Sequence, residues 1–221
     1  DLISRTTNEV SLTRNTVIRI FKGLRSGAKE AFMKNPEGFA GIFIASIKDV
    51  LANHVAEKIE YHAEESVYPE YSADTMFPEE VRHSASELVA GTEKTSLYDF
   101  VQYDSDNERS FIDRINDDPL VINYFKFPAN FKVHIPRIIN NYNPDWGILR
   151  WNENRTLKME LVRETKGNID LAMLQYSNEG RKIKCARKHF ASLGVSYRHI
   201  TKDTTDWWKE EDRVEEKPLI E

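Results

Sequence analysis

Two carboxylates and a lysine carry the spacing in this chain that points most directly to chemistry. Asp145, preceded by Pro144, heads the apolar run Trp146 to Trp151, and Glu164-Thr165-Lys166 closes the next run, Leu157 to Thr165. Both runs read as strands. Side chains alternate along a strand, so Glu160, Val162, Glu164 and Lys166 share one face, and Met159, Leu161, Arg163 and Thr165 the other. If the polar turn Asn152 to Arg155 joins the two as a hairpin, the start of one lies beside the end of the other and Asp145 meets Glu164. Two carboxylates converging with a lysine are costly unless a cation joins them. An all-oxygen site of this kind suits Mg²⁺, which takes few carboxylates and keeps several waters. The metal would polarise a phosphodiester and acidify an attacking water, with Lys166 orienting that water or stabilising developing negative charge. Taken as geometry alone, nuclease chemistry and a structural salt bridge both stay open. A second E-x-K triplet, Glu215-Glu216-Lys217, lies in the acidic end of the chain and reads as chance.

Other chemistries find little support. The sequence has no G-x-x-x-x-G-K-[ST] phosphate loop, no G-x-G-x-x-G, no G-x-S-x-G elbow and no C-x-x-C zinc pair. The lone Cys185 sits beside Lys184 and near Arg187, but a small buried helix residue is the simpler reading than a nucleophile. With one cysteine no intrachain disulfide forms, which fits a reducing cytoplasmic setting. His54 and His62 do not have H-E-x-x-H spacing and read as ordinary helix residues.

The elements that must position these groups come from a chain of 221 residues, 40% hydrophobic and 30% charged, enough for one large domain or two small ones. No apolar stretch approaches the roughly 18 residues of a membrane span and no signal peptide opens the chain, so no membrane partner is expected. A first residue other than methionine is expected of a segment cut from a longer polypeptide. The net charge of −5 speaks against a dedicated nucleic-acid binder, but charge is segregated. Residues 57–93 hold ten acidic and two basic side chains, and residues 203–221 eight acidic and three basic. Residues 180–202 hold Arg181, Lys182, Lys184, Arg187, Lys188, Arg198 and Lys202 with no acid, either a phosphate-facing surface or a solvated helix face.

Helical spacing dominates the first part. Val17, Ile20, Phe21 and Leu24 mark a helix with Thr13 as its N-cap and Gly23 near its end. With the ten residues before it, this resembles a helix-turn-helix that would present Arg14, Asn15 and Arg19 to DNA, or a structural helical hairpin. Further helices are predicted over 38–54, running on toward Glu65, and over 79–88. The texture changes near 91–96. The predicted organisation is a helical region 1–95, an α/β core 96–202 and an acidic tail 203–221. In the core the spacing predicts a helix over 105–115 capped by Ser105, and strands over 121–127, 131–135, 146–151 and 157–165. A basic helix over 178–193 ended by Gly194 and a last strand over 195–200 follow.

Three blocks in order then carry a resemblance. Tyr142-Asn143-Pro144-Asp145-Trp146, Arg163-Glu164-Thr165-Lys166-Gly167 and Lys182-Ile183-Lys184-Cys185-Ala186-Arg187-Lys188-His189-Phe190 resemble the C-terminal endonuclease domain of the Res subunit of type III restriction enzymes. That domain belongs to the PD-(D/E)xK nuclease superfamily, and the likeness covers about Leu97 to Thr201. It implies a restriction-endonuclease-like core of helix, antiparallel β-meander, helix and strand, preceded here by a helical region. It implies Asp145 and Glu164 as Mg²⁺ ligands and Lys166 as the catalytic lysine. Glu108 matches the acidic residue of the first core helix, which approaches the metal, and it also reads as a solvated helix carboxylate. The resemblance further implies double-stranded DNA as substrate and a modification methyltransferase (Mod) as the partner that reads sequence. It implies a helicase-like motor in the same full-length polypeptide, and ATP enters only through that motor, which nothing here matches. Lys182, Lys184, Arg187, Lys188 and His189 would face the DNA backbone by charge, with His189-Phe190 packing against the sheet as the simpler account of that histidine.

Two rivals keep other classes in view. One is a non-catalytic docking module whose acidic stretches, with Trp207 and Trp208 exposed or else pinning the tail, bind a partner subunit. The other is a stand-alone repair or junction nuclease sharing the same chemistry.

Overall fold

The computed structural model describes residues 1–63, 72–81, 87–92, 94–167 and 178–210. They fall into two compact units, Asp1–Lys58 and Ile59–Glu221. The division comes earlier in the chain than the change of texture near residue 95, because the segment in between contributes a strand to the second unit.

The first unit is helical: α1 (Leu2–Val10), α2 (Arg14–Gly23), α3 (Ser26–Lys34) and α4 (Pro36–Lys58). Ser11 turns the chain out of α1 in the left-handed region, and the Thr13 hydroxyl accepts from the Thr16 N–H at 3.2 Å to start α2. Arg14, Asn15 and Arg19 lie exposed on α2. Val10, Val17, Phe43, Ile44 and Ile47 form the core, with Phe21 and Phe39 packed against it. Pro36 opens α4 where its missing N–H costs nothing, and Asn35 Oδ1 accepts from the Gly38 N–H at 3.0 Å. The helix stops at Lys58, short of Glu65, and residues 59–63 are irregular. One sequence reading needs correcting: α4, at 23 residues, is long and apolar enough by length and composition to cross a membrane. Lys48 and Asp49 interrupt the apolar run but do not lower its average below that of a span; Lys48 pairs with Glu9 of α1 at 2.8 Å.

The second unit is mixed α/β. A short helix α5 (Ala73–Met76) precedes β1 (Leu88–Ala90), which pairs antiparallel with β2 (Phe100–Gln102). Then come α6 (Asp106–Asn116), β3 (Val121–Lys126), β4 (Trp146–Trp151), β5 (Lys158–Thr165), α7 (Asn178–Ser192) and β6 (Ser196–Ile200). The main sheet has the order β3-β4-β5-β6, antiparallel except for the parallel pair β5 and β6. Ser105 caps α6 by accepting from the Glu108 N–H at 3.3 Å. Gly194, at φ +72°, takes the left-handed turn that ends α7 and lets the Val195 N–H reach the Phe190 carbonyl at 3.0 Å.

One face of the sheet meets α6 in a core of Phe111, Ile112, Ile115, Tyr124, Trp146, Ile148, Leu161, Ile200 and Trp207. Each such side chain contributes about 1.5–3 kcal/mol by leaving water. The other face meets α7, where Phe190 stacks on Tyr197 at 5.6 Å between centroids. Gly147 on β4 leaves room for the Phe125 ring, which lies where a Cβ would stand.

Two expectations fail in informative ways, and one open alternative falls on a single side. The strand predicted at 131–135 reduces to one bridge, Val133 to Tyr142. Pro128 and Pro136 bracket it, β4 has neighbours on both sides, and the outer edge of β3 is bonded by Thr95 and Leu97. The helix predicted at 79–88 falls partly outside the described residues; 79–81 is irregular and Leu88 opens β1. Of the two readings of the tryptophan pair, pinning the tail is the one seen: Trp207 is 2% exposed and packs edge-on against Phe111 at 5.4 Å, while Trp208 is half-buried. The tail is therefore part of the fold up to residue 210, and residues 211–221, with Glu215-Glu216-Lys217, lie outside the described residues.

Candidate active site

The hairpin register builds the site. Trp146 pairs with Arg163 across β4 and β5, so the next residues outward, Asp145 and Glu164, are brought side by side. Asp145 is fixed by its neighbour strand: its Oδ2 accepts from both the backbone N–H and the hydroxyl of Thr165, each at 2.7 Å. Glu164 is 2% exposed. Its Oε1 meets the Lys166 Nζ at 2.9 Å, as expected for two residues on one strand face. Its Oε2 accepts from the Tyr142 hydroxyl at 2.6 Å, which in turn lies 2.8 Å from the Tyr197 hydroxyl on β6. The Lys166 backbone N–H donates to the Ile200 carbonyl at 3.0 Å, anchoring the chain just past the strand.

The electrostatics follow from crowding two acids in a buried place. Burial pushes the Glu164 carboxyl up to about 7, the nearby Asp145 charge adds to this, and Lys166 and Tyr142 oppose it. Burial also raises Asp145, against the two Thr165 bonds; Glu108 adds to the rise and Lys166 counters it. Burial alone would lower Lys166, but Glu164, with help from Asp145 and Glu179, outweighs it and holds the ammonium charged. Burial drives the Tyr142 and Tyr197 hydroxyls well above their ordinary range, so both serve as neutral donors.

Glu108 is placed by the first turn of α6. It is buried, and its Oε2 accepts from Lys126 Nζ at 2.5 Å and from the Asp104 N–H at 3.0 Å. Lys126 also holds Asp104 at 2.6 Å. Glu108 acts on Asp145 through its charge.

The basic helix does not present one uniform face. Lys182 pairs with Glu179 at 3.0 Å, and Glu179 reaches Lys166 at 3.6 Å, so the start of α7 borders the site. Lys184 is half-buried and Arg187 exposed. Lys188 and His189 turn to the segment after α4: Lys188 donates to the Ile59 carbonyl at 3.2 Å, and the His189 ring packs edge-on against Tyr61 at 5.1 Å. Cys185 is buried, and burial pushes its thiol up, the opposite of what a nucleophile needs.

Sequence reasoning passed over several participants. Tyr142 and Thr165 stand inside the quoted blocks but their hydroxyls were given no part. Lys126 and Tyr197 had no local signal, since each acts on a residue far away in the chain. His199 lies beside Glu164 across the β5–β6 ladder, with no hydrogen-bond partner for Nε2 among the described residues. Burial, then the charges of Lys166 and Arg187, bring its pKa down to about 4, so the ring is neutral.

Among the described residues, no group of three or more His, Cys, Asp and Glu side chains forms a metal cage. The site offers instead a close carboxylate pair, hard oxygen donors in which burial, and then the Asp145 charge, raises Glu164. That donor set fits a hard divalent cation that keeps most of its waters, as Mg²⁺ does. Residues 94–204, half of the chain, match the profile of a family described as an endonuclease domain. No curated protein and no solved structure matches the chain.

Proposed function

The chain belongs to this family of endonuclease domains, and from that premise we propose that it is the nuclease domain of a type III restriction system, hydrolysing DNA phosphodiester bonds with Mg²⁺. The observation that carries the reading is the buried Glu164 carboxylate, 2.9 Å from Lys166 and opposite Asp145 in the hairpin register. Asp145 and Glu164 would hold the metal. When bound, Mg²⁺ supplies Lewis-acid polarisation of the phosphate and a more acidic water.

The chain's own residues do the rest. Thr165 holds Asp145 by two bonds, leaving its other oxygen for the ligand. Tyr142 fixes the rotation of the Glu164 carboxylate. Lys166, kept charged by its neighbours, points its ammonium at the place where negative charge develops and orients the attacking water. Lys182, Lys184 and Arg187, along the helix that borders the site, attract the DNA backbone without reading sequence. In this reading the motor of the full-length polypeptide consumes ATP, a methyltransferase partner supplies recognition, and the complex works in the cytoplasm.

The test is Mg²⁺-dependent cleavage of plasmid DNA by the assembled complex with ATP, comparing wild type with Glu164→Ala and Lys166→Ala. The reading expects cutting to be lost in both variants while folding and DNA binding persist. Equal cutting by all three sinks the site assignment. No cutting by a folded, assembled wild-type complex favours a non-catalytic docking module.

A further inference from the structure

Both Glu164 oxygens are already engaged, Oε1 by Lys166 and Oε2 by Tyr142, each with one further lone pair to give. A divalent cation on the Asp145–Glu164 pair and the Lys166 ammonium therefore compete for the same carboxylate charge, and two cations that close repel strongly in so buried a place. For Lys166 to stay beside the reacting water, it needs a second acceptor within reach of its side chain. We infer that Glu179 is that acceptor, a positioning residue that takes over Lys166 when a divalent cation occupies the carboxylate pair. This rests on the metal-dependent reading above.

Five features support it. Glu179 Oε2 already lies 3.6 Å from Lys166 Nζ, so a small side-chain rotation completes the pair. Its Oε1 is held by Lys182 at 3.0 Å, which fixes the carboxylate rather than leaving it to wander. Glu179 stands in the first turn of α7, where the helix dipole favours a negative charge. The Lys166 side chain is 29% and the Glu179 side chain 43% exposed, so the exchange happens at the rim of the site. The Lys166 backbone, bonded to Ile200, need not move.

The experiment is calorimetric titration of the full chain with Mn²⁺ as the probe, on wild type, Glu179→Gln, Glu179→Asp, Lys166→Ala and the double variant Glu179→Gln/Lys166→Ala. Tryptophan fluorescence checks that each is folded. Glu179→Gln is expected to weaken Mn²⁺ binding about fivefold, the loss of one partly exposed ion pair. Glu179→Asp recovers part of that loss, and Lys166→Ala tightens binding. In the Lys166→Ala background, Glu179→Gln has no further effect, because there is no lysine left to relocate. An unchanged affinity in Glu179→Gln overturns the inference. So does an equal loss with and without Lys166, which would make Glu179 a ligand or a long-range charge. If Asp145→Asn and Glu164→Gln bind Mn²⁺ as wild type does, the metal-site reading itself falls, and this inference with it.

Discussion

Glu164→Gln should gain stability relative to wild type as the pH rises in the metal-free protein, while destroying its chemistry. The folded carboxyl titrates near 7 against an ordinary value of 4.5, chiefly because it is buried and stands beside Asp145. The folded state therefore holds the proton more tightly than the unfolded chain. The stability this group contributes is complete below pH 4.5 and is lost as the pH rises through 7. At about 1.4 kcal/mol for each pH unit between those values, the loss is about 3 kcal/mol. Glutamine keeps one carbonyl acceptor, for Tyr142, turns its amide NH2 toward Lys166 and cannot ionise, so the variant escapes the pH-dependent loss at a fixed cost that does not vary with pH. Urea unfolding in EDTA, followed by tryptophan fluorescence, measures this. All four tryptophans, at 146, 151, 207 and 208, lie in the 59–221 unit, so the signal reports the unit that holds the site. The unfolding free energy of Glu164→Gln minus that of wild type should grow by about 3 kcal/mol from pH 4 to pH 8. Other titrating groups largely cancel in the difference. Added Mg²⁺ should then stabilise wild type at pH 8 more than the variant. A difference that stays constant with pH, or shrinks as pH rises, refutes the account of Glu164 as a charge held at a cost.

Three further outcomes follow from the same geometry. Tyr142→Phe removes the hydroxyl from both Glu164 and Tyr197 and should cost about 1–3 kcal/mol in urea unfolding. Because that hydroxyl helps hold the Glu164 carboxyl down, its loss should also widen the pH-dependent gap described above. Trp207→Ala empties a core position against Phe111 and should cost about 3–5 kcal/mol in the same assay. Arg187→Ala should weaken DNA binding and lower the salt slope by about one, measured by fluorescence anisotropy across a salt series. Lys188→Ala, whose ammonium is bonded to Ile59, should leave that slope nearly unchanged.

What could be read before the structure was mostly local. Thr13 and Ser105 announce two helix starts because a cap hydroxyl acts within three residues. Asp145 and Glu164 could be brought together on paper because a hairpin register is set by a short turn, and strand alternation put Lys166 on the face of Glu164. Longer-range terms were invisible. Tyr197 reaches Tyr142 across 55 residues, and Lys126 reaches Glu108 across 18, and neither has a spacing signal. The segment 131–135 alternates as a strand should, but alternation says nothing about whether a sheet edge is free to receive it. Lys188 and His189 look like their neighbours in charge, yet the segment at 59–61 turns them inward. For α4, Lys48 and Asp49 break the apolar run without lowering its average over a whole membrane-spanning length.

The guanidinium of Arg163 has a consequence for where this chain can be cut. It is fully buried, on the opposite face of β5 from Glu164. It donates to the carbonyls of Trp207 at 2.5 Å, Trp208 at 3.1 Å and Lys209 at 3.3 Å, besides Ser196 at 2.7 Å. A truncation after residue 202 would look harmless on charge composition, trimming a mostly acidic end. It would instead strip three acceptors from a cation that has no route to water. The strand that loses them is the one carrying Glu164 and Lys166. A stop codon or protease nick ahead of Trp207 would thus be read out at the carboxylate pair, and expression boundaries for this domain have to run through Lys209.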